Sequence, residues 1–425
     1  MFKEKISALL KNKQNTNLVI YGLGQGFNLI TPLLVIPYII SVCGVENYGK
    51  ISIAMAISFF IMVFIDYGSD IIGVKAVAVN RDKPAELEKI FLATFGYKFV
   101  LLILTLFIAT MLFCFVPYFS SDKKLYLLGL PILIGQFLNP TWFLQGIENF
   151  KLITILTITS KLIYLCGVLF FINQKEDYIF INLWWGIGTI FANGIAFYYC
   201  IKGNSFIFKK PNKVEVLQLL KSNFSMFTSQ IFVSLQMYAP IMLIGFFSNN
   251  LMAGQYKIVE QIIVVFKTYI YLFFNFVYPR VCFLLEENLK KGIQFWKTYN
   301  GINFIFITVT MGIIYIFSNE AVSYFTNRDV EEISNLLRIA IFIPMTLSIS
   351  IPLKQLILGF NKQRFYIRMT MGMVLLNLVL MLLLLPEYKI LGVLISIIIT
   401  EITTIAVYYF NLKNNLKGAF QIKYK

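Results

Sequence analysis

The sequence predicts an all-α membrane protein of twelve transmembrane helices, arranged as two six-helix halves that are parallel pseudo-repeats. Hydrophobic residues make up 58% of the 425-residue chain and charged residues only 14%, whereas soluble domains contain about 25% charged residues. The mean hydropathy is +0.74. Apolar runs of the length that crosses a bilayer follow one another along the chain. The order of features in the first half also recurs in the second half.

Windows of about 20 residues, the length of a membrane-spanning helix, predict the individual spans. The first apolar run is far longer than the core of about 7–15 residues in a signal peptide, so we expect it to be a retained span. The predicted limits are 17–42, 48–73, 92–117, 125–146, 150–172, 178–201, 223–247, 253–279, 297–318, 335–359, 365–386 and 389–412.

The distribution of lysine and arginine predicts the orientation in the membrane. Loops and tails on one side contain 25 of these residues, and those on the opposite side contain 6. Because cytoplasmic loops carry the excess of basic residues, we expect both termini to be cytoplasmic.

Two landmarks recur about half a chain apart. Pro37 and Pro240 lie in the first and seventh predicted spans, and Gly49 and Gly254 follow the turn after each span. Parallel repeats of this kind place a substrate site at their interface. The predicted domains are an N-terminal six-helix lobe at 1–201, a cytoplasmic inter-lobe linker at 202–222 and a C-terminal six-helix lobe at 223–425.

Several classes of function are disfavoured. The chain has no histidine, which excludes a histidine-based triad or histidine-ligated metal. Its five cysteines show no metal or disulfide spacing, and no phosphate-binding loop motif occurs. The basic residues lie mostly in short loops, so their excess does not indicate nucleic acid. We therefore expect a protein that is not an enzyme and has no cofactor and no metal.

Cations inside predicted spans are the strongest functional signal. One ionisable group at mid-membrane costs roughly 2.5–3.5 kcal/mol, so it marks a functional site by default. Lys161 and Lys267 lie near mid-span, which favours an anion-binding role. Lys98 and Arg338 lie closer to span ends, where snorkelling towards water is an equal explanation. Lys257 belongs to the same segment as Lys267.

Acidic residues inside spans are candidates for ion coupling. Glu260 is three residues from Lys257 on one helix, so the two are also able to form a private ion pair. Glu401 lies mid-span, either as a proton or cation site or as a partner for a lysine. Asp66 lies near the end of the second span, where a helix-end turn is the alternative.

Several segments resemble a known family. They include TPLLVIPYIISVCGVENYGKISIA (31–54), FIDYGSD (64–70) and NPTWFLQGIENFKLITILTITSKL (139–162). The sharpest signature joins Trp142, Gln145, Gly146 and Glu148. Over nearly its whole length the chain resembles bacterial O-antigen or capsule repeat-unit translocases (flippases). These belong to the polysaccharide transporter branch of the multidrug/oligosaccharidyl-lipid/polysaccharide exporter superfamily.

The resemblance implies two six-helix lobes around a central cavity and alternating access. The implied substrate is an undecaprenyl-pyrophosphate-linked oligosaccharide, moved from the cytoplasmic to the outer leaflet. Lys98 and Lys161 fall where such proteins often carry a basic residue, whereas Gln261 stands where they often have a lysine after Glu260. Candidate partners besides the bilayer are the polysaccharide polymerase and the chain-length regulator. Polar candidates for sugar contacts are Gln25, Asn28, Gln136, Asn139, Gln145, Gln230 and Gln236.

Two alternative functions stay open. A cation-coupled drug exporter of the same superfamily favours an acidic cavity, which disagrees with the lysines. A membrane polysaccharide polymerase or glycosyltransferase needs a catalytic constellation on a long loop. The sequence shows no such loop.

Overall fold

The computed structural model describes residues 13–207 and 213–420, and this part of the chain is almost entirely helical, with no strand. The all-α prediction is therefore confirmed. Residues 208–212 of the predicted linker, residues 1–12 and residues 421–425 lie outside the described residues.

The first part of the chain forms eight α-helices and two short 3-10 helices. The 3-10 helices are Pro117–Phe119 and Lys175–Phe180. The α-helices are α1 (Lys13–Asp66), α2 (Ser69–Val79), α3 (Pro84–Phe115), α4 (Lys123–Gly129), α5 (Pro131–Phe137), α6 (Thr141–Gly146), α7 (Phe150–Phe171) and α8 (Ile181–Gly203).

Seven further helices complete the described chain. They are α9 (Lys213–Phe247), α10 (Asn250–Glu287), α11 (Leu289–Ile316), α12 (Ser318–Ser323), α13 (Val330–Ala340), α14 (Phe342–Gly359) and α15 (Gln363–Phe420).

Among the described residues, ten helical segments are long and apolar enough to cross a membrane, so this is a multi-pass membrane protein. The twelve predicted spans become ten segments because the first two merge into Gly24–Val79 and the last two into Gln363–Lys413. In each merged segment the two predicted spans are joined through a single non-helical residue: Gly44 has φ 83° and Lys389 has φ 50°. A break of one residue leaves no loop to separate the flanking helices.

The chain divides into two compact units, one ending at Tyr238 and the other beginning at Ala239. This boundary lies inside α9, further along the chain than the predicted linker at 202–222. The first part of α9 packs on unit 1, where the ring of Phe227 stacks on Tyr67 with centroids 4.3 Å apart. That contact explains why unit 1 extends into α9.

In unit 1, α1 and α7 pack side by side and run in the same direction. The hydroxyl of Thr154 donates to the Ile20 carbonyl at 2.9 Å, and the hydroxyl of Tyr38 donates to the Ile172 carbonyl at 2.8 Å. Both bonds join residues 134 positions apart. The shared offset keeps the two helices level along this length, so Lys161 of α7 lies level with Phe27.

The tryptophan of the sequence signature is a packing residue. Trp142 is 2% exposed and lies against Gly73 of α2, where an added Cβ would come within 2.7 Å of the indole ring. The stacked ring of Phe91 covers it at 6.1 Å between centroids. At the end of the signature, Glu148 forms an exposed ion pair with Arg81 at 3.0 Å. The signature therefore joins α2, α3 and α6 in one apolar core.

Unit 2 has its own core, in which α10 and α11 pack against α14, and α14 packs against α15. The indole of Trp296 donates to the Pro352 carbonyl at 2.9 Å, and the amide of Asn300 donates to Gln355 at 3.0 Å. These bonds pair polar groups of α11 and α14 away from lipid, where an unpaired group is expensive.

Candidate functional site

The most buried charge in unit 1 is an ion pair. Lys98 of α3 is 0% exposed, and its Nζ lies 3.0 Å from Oδ1 of Asp66 at the end of α1. Nε2 of Gln136 donates to the other carboxylate oxygen at 2.6 Å. Asp66 is presented here because Tyr67 and Gly68 both have positive φ, which ends α1 and turns the chain into α2.

This geometry answers two questions that the sequence left open. Lys98 does not snorkel, because its ammonium group is enclosed by protein. Asp66 is an ion-pair partner of Lys98, and Gln136 donates a hydrogen bond to the same carboxylate. Positions 66, 98 and 136 lie on three helices, so the sequence offered no signal for their contact.

Lys161 differs from Lys98 in having no counter-ion. It lies near the midpoint of α7, and its Nζ sits 3.3 Å from the ring centroid of Trp185 on α8. Among the described residues no carboxylate forms an ion pair with it. A cation over the face of an indole is attracted by the ring quadrupole, but the ring is neutral and is not a counter-ion.

Two close helix contacts hold Lys161 and Trp185 together. A Cβ added to Gly188 of α8 would lie 2.5 Å from the Ser160 carbonyl oxygen of α7. A Cβ added to Gly167 of α7 would lie 2.3 Å from the indole of Trp184. Because only glycine permits these approaches, α7 and α8 have little freedom to slide past each other.

Aromatic rings extend from Trp185 across unit 1. Tyr164 meets Trp185 edge-on at 5.0 Å between centroids, and Phe59 of α1 lies 5.6 Å from it on another side. Tyr238 of α9 contacts Phe59 at 5.8 Å. Lys161 and Trp185 are both only partly buried. We call these five residues the Lys161–aromatic cluster.

In unit 2, Lys257 and Glu260 form the ion pair that their spacing allowed. The distance from Nζ to Oε2 is 2.6 Å. The prediction of a private pair is confirmed. Lys257 therefore has a counter-ion one turn away on the same helix.

Glu401 of α15 accepts a hydrogen bond from the Ser350 hydroxyl of α14 at 2.8 Å. Neither Lys267 nor Lys354 forms an ion pair with it in the described part of the chain. The Lys354 ammonium instead lies 4.7 Å from the ring centroid of Tyr366. Among the described residues, Glu401 is thus a carboxylate with a hydroxyl partner and no ion pair.

Arg338 is held by neutral groups of unit 2. Its Nε donates to the Ser318 hydroxyl and its Nη1 to the Asn335 side chain, both at 2.9 Å. The guanidinium also lies 5.7 Å from the ring centroid of Tyr315. These contacts join α11, α12 and α13, which gives Arg338 a packing role whether or not it meets a ligand.

The predicted sugar-contact residues are not all in one place. Gln25 and Asn28 are partly buried on α1, and the offset between α1 and α7 brings Asn28 to the level of Lys161. Gln145 lies on α6, beside the Trp142 core. In residues 13–207 and 213–420, no group of three acids or thiols is arranged to hold a metal ion.

Comparison with protein families gives a match over most of unit 1 and part of unit 2. The family described as "Polysaccharide biosynthesis protein" matches residues 15–282. A protein from Escherichia coli strain K12 named "Putative O-antigen transporter" is 26% identical over 278 residues, 65% of this chain and 67% of that protein. One of the same name from Shigella dysenteriae is 20% identical over 391 residues, 91% of this chain and 96% of that protein.

Solved membrane transporters share the fold. A lipid II flippase, MurJ, in an inward closed conformation superimposes with a TM-score of 0.74 at 14% identity, covering 93% of this chain and 87% of MurJ. An inward-facing multidrug resistance MATE family transporter of the MOP superfamily gives 0.70 at 12% identity, covering 97% of this chain and 100% of that chain. At these identities the similarity concerns the fold alone.

Proposed function

Because the chain belongs to the polysaccharide biosynthesis protein family, we propose that it is a flippase for lipid-linked oligosaccharides. Its substrate is an undecaprenyl-pyrophosphate-linked repeat unit of O-antigen or capsule. The protein moves this unit by alternating access from the cytoplasmic to the outer leaflet of the plasma membrane. The MurJ-like fold and the O-antigen transporter names of two relatives support the proposal.

The physical problem is the head group. Diphosphate charges and sugar hydroxyls lose their water in hydrocarbon, which is costly unless partners replace it. The polyprenyl tail needs no such help, because it is as apolar as the lipid around it. A protein that moves this molecule must therefore present cations and polar groups at mid-membrane depth.

Lys161 is the observation that carries the proposal. Lys98 is neutralised by Asp66 and Lys257 by Glu260, so these lysines are already paired. Within the described part of the chain, Lys161 lies over the Trp185 ring and forms no ion pair. A cation held in place near the midpoint of a span, with no counter-ion, is suited to bind a diphosphate.

Unit 2 supports ion coupling at Glu401. Asp66 is enclosed between Lys98 and Gln136. Protonating the Asp66 carboxylate would leave the buried Lys98 without a counter-ion, which is costly. Glu401 has one hydroxyl partner, and neither Glu401 nor Lys267 forms an ion pair among the described residues. We therefore assign coupling to Glu401 rather than to Asp66 or to Glu260, and anion attraction in this unit to Lys267.

The same proposal includes the membrane arrangement. Gly24–Val79 and Gln363–Lys413 are 56 and 51 residues long, about twice what one crossing needs. If each crosses twice, at the breaks near Gly44 and Lys389, the ten segments give twelve crossings with both termini cytoplasmic. The polymerase and the chain-length regulator are the proposed partners on the outer side.

A charge-removal pair on one helix tests the function. Lys161→Gln removes the mid-span cation of α7, whereas Lys151→Gln removes an exposed cation at the start of the same helix. In a strain lacking the gene, we expect Lys151→Gln to restore surface polysaccharide. We expect Lys161→Gln to reduce it at least tenfold at equal protein level, because one charge-assisted contact accounts for about that factor.

The strain lacking the gene separates the alternatives. Loss of a flippase leaves no repeat unit at the surface and accumulates the lipid-linked unit inside. Loss of a polymerase leaves single repeat units at the surface. Loss of a drug exporter leaves the polysaccharide intact and raises sensitivity to cationic drugs. Either of the last two patterns refutes the proposal.

A further inference from the structure

We propose that the Lys161–aromatic cluster is a subsite for the junction between diphosphate and first sugar, in which Lys161 binds the diphosphate and the Trp185 indole face binds the sugar. This inference rests on the proposed function and deepens it. The cation–π contact at 3.3 Å places the Lys161 ammonium on the indole face that the sugar would contact.

The first step is an exchange of partners for Lys161. The indole face carries a partial negative charge, whereas a diphosphate oxygen carries a full one and also accepts hydrogen bonds from an ammonium group. A bound diphosphate therefore draws the Lys161 ammonium away from the ring. Lysine suits this exchange because its long side chain moves the charge without moving the helix.

The second step concerns the uncovered ring. The C–H groups on one face of a pyranose are weakly positive, so they pack against the negative face of an indole. Trp185 is braced for this contact by Tyr164 at its edge and Phe59 on another side. The Gly188–Ser160 approach fixes the helix that carries it. The ring is therefore oriented before ligand arrives, which lowers the entropic cost of binding.

The neighbouring tryptophan shows that this arrangement is particular to Trp185. Trp184 stacks on Phe171 at 4.7 Å and fills the notch at Gly167, so its faces are occupied by protein. Trp142 is almost fully enclosed in the unit 1 core. Trp185 alone of these three has a charged, movable side chain over its ring.

The test compares two lipids that differ by one sugar. Purified full-length protein in nanodiscs is titrated with undecaprenyl diphosphate and with the same lipid bearing one hexopyranose. Lys161→Gln should weaken both lipids by about tenfold, the size of one charged contact. Trp185→Leu should weaken only the sugar-bearing lipid, also by about tenfold. It should leave the sugar-free lipid unchanged or bound more tightly, because Lys161 is released from the ring.

Two further variants separate binding from folding. Trp185→Phe keeps an aromatic face and should retain most of the preference for the sugar-bearing lipid. Phe191→Leu removes an exposed ring from the same helix and should leave that preference unchanged. We also expect Trp185→Leu to unfold at the same temperature as the unsubstituted protein, so that its weaker binding is not caused by misfolding.

Two outcomes overturn the proposal and differ in what else they reject. If Lys161→Gln weakens both lipids but Trp185→Leu affects both equally or neither, the sugar subsite is wrong and the flippase proposal stands. If Lys161→Gln changes neither affinity, the anion site is wrong as well, and the proposed function loses its main support.

Discussion

At the scale of single residues, buried charges in this protein are stabilised in three different ways. Lys98 and Asp66 compensate each other at 3.0 Å, Lys161 lies over an indole ring, and Glu401 accepts a hydrogen bond from Ser350. A complete pair resists change, because removing one partner leaves the other buried and uncompensated. A charge held by neutral groups is the one able to change partners during a transport cycle.

Substitution of the two acids Glu401 and Asp66 should therefore give different phenotypes. Glu401→Gln should fold normally and still bind substrate, but transport should no longer respond to uncouplers or external pH. Asp66→Asn should lower the free energy of unfolding by about 3–5 kcal/mol, since it leaves the buried Lys98 without its counter-ion. The measurements are polysaccharide export with and without an uncoupler, and unfolding temperature in detergent.

An exposed acid provides the control for charge loss. Asp82→Asn, on the exposed turn between α2 and α3, should change neither export nor stability. Normal uncoupler sensitivity in Glu401→Gln would exclude this residue from coupling.

Distance along the sequence decided which of these contacts were predictable. Lys257 and Glu260 are one turn apart on a single helix, so their pairing followed from spacing. Asp66, Lys98 and Gln136 meet only because α1, α3 and α5 pack together. The same is true of Lys161 and Trp185, which lie on two helices. The sequence located the unusual charges but gave no means of choosing their partners.

At the scale of elements, the packing of α7 on α8 controls the geometry around Lys161. The two helices touch at backbone distance where Gly188 meets the Ser160 carbonyl. Small residues at such crossings let membrane helices approach closely. The contact aligns the lysine of one helix with the tryptophan of the other.

Adding one methyl group at this crossing should separate the helices. Gly188→Ala places a Cβ only 2.5 Å from the Ser160 carbonyl oxygen, so we expect a loss of roughly 1–3 kcal/mol, as for other overpacked sites. Gly194→Ala on the same helix meets nothing closer than a Leu138 methyl at 3.9 Å. It should be neutral or stabilising by up to about 1 kcal/mol, the helix-propensity gain of alanine over glycine.

Unfolding temperature and the tryptophan signal of α8 check both variants. Equal stability of Gly188→Ala and Gly194→Ala would mean that the crossing is not under steric constraint.

Helix existence was easier to predict than helix ends. Runs of apolar residues locate the described spans because backbone groups in lipid must pair within a helix. The breaks at Gly44 and Lys389 occupy single residues, so the sequence has no polar loop there to indicate a helix end. The motif around Trp142 did not reveal its own role. It resembles the family's motif, but in the structure Trp142 packs in the apolar core beside Gly73.

At the scale of the whole molecule, the orientation in the membrane can be tested with two exposed positions. Ser205 follows α8, on the side with many cations, and Ser121 follows α3, on the side with few. In a variant lacking the five native cysteines, we expect Ser121→Cys to react with an impermeant thiol reagent in intact spheroplasts. Ser205→Cys should react only after permeabilisation. The reverse pattern would invert the topology.

The Lys98–Asp66 pair also has a consequence for the order in which the chain enters the membrane. Asp66 is synthesised before α3, so it is already present when the segment containing Lys98 leaves the ribosome and reaches the insertion machinery. An unpaired lysine at mid-membrane opposes transfer of its helix into the bilayer by roughly 2.5–3.5 kcal/mol. Lys98 is able to pair with Asp66, which has already been synthesised. Insertion of α3 therefore depends on earlier helices having arrived, which makes biogenesis of unit 1 sequential.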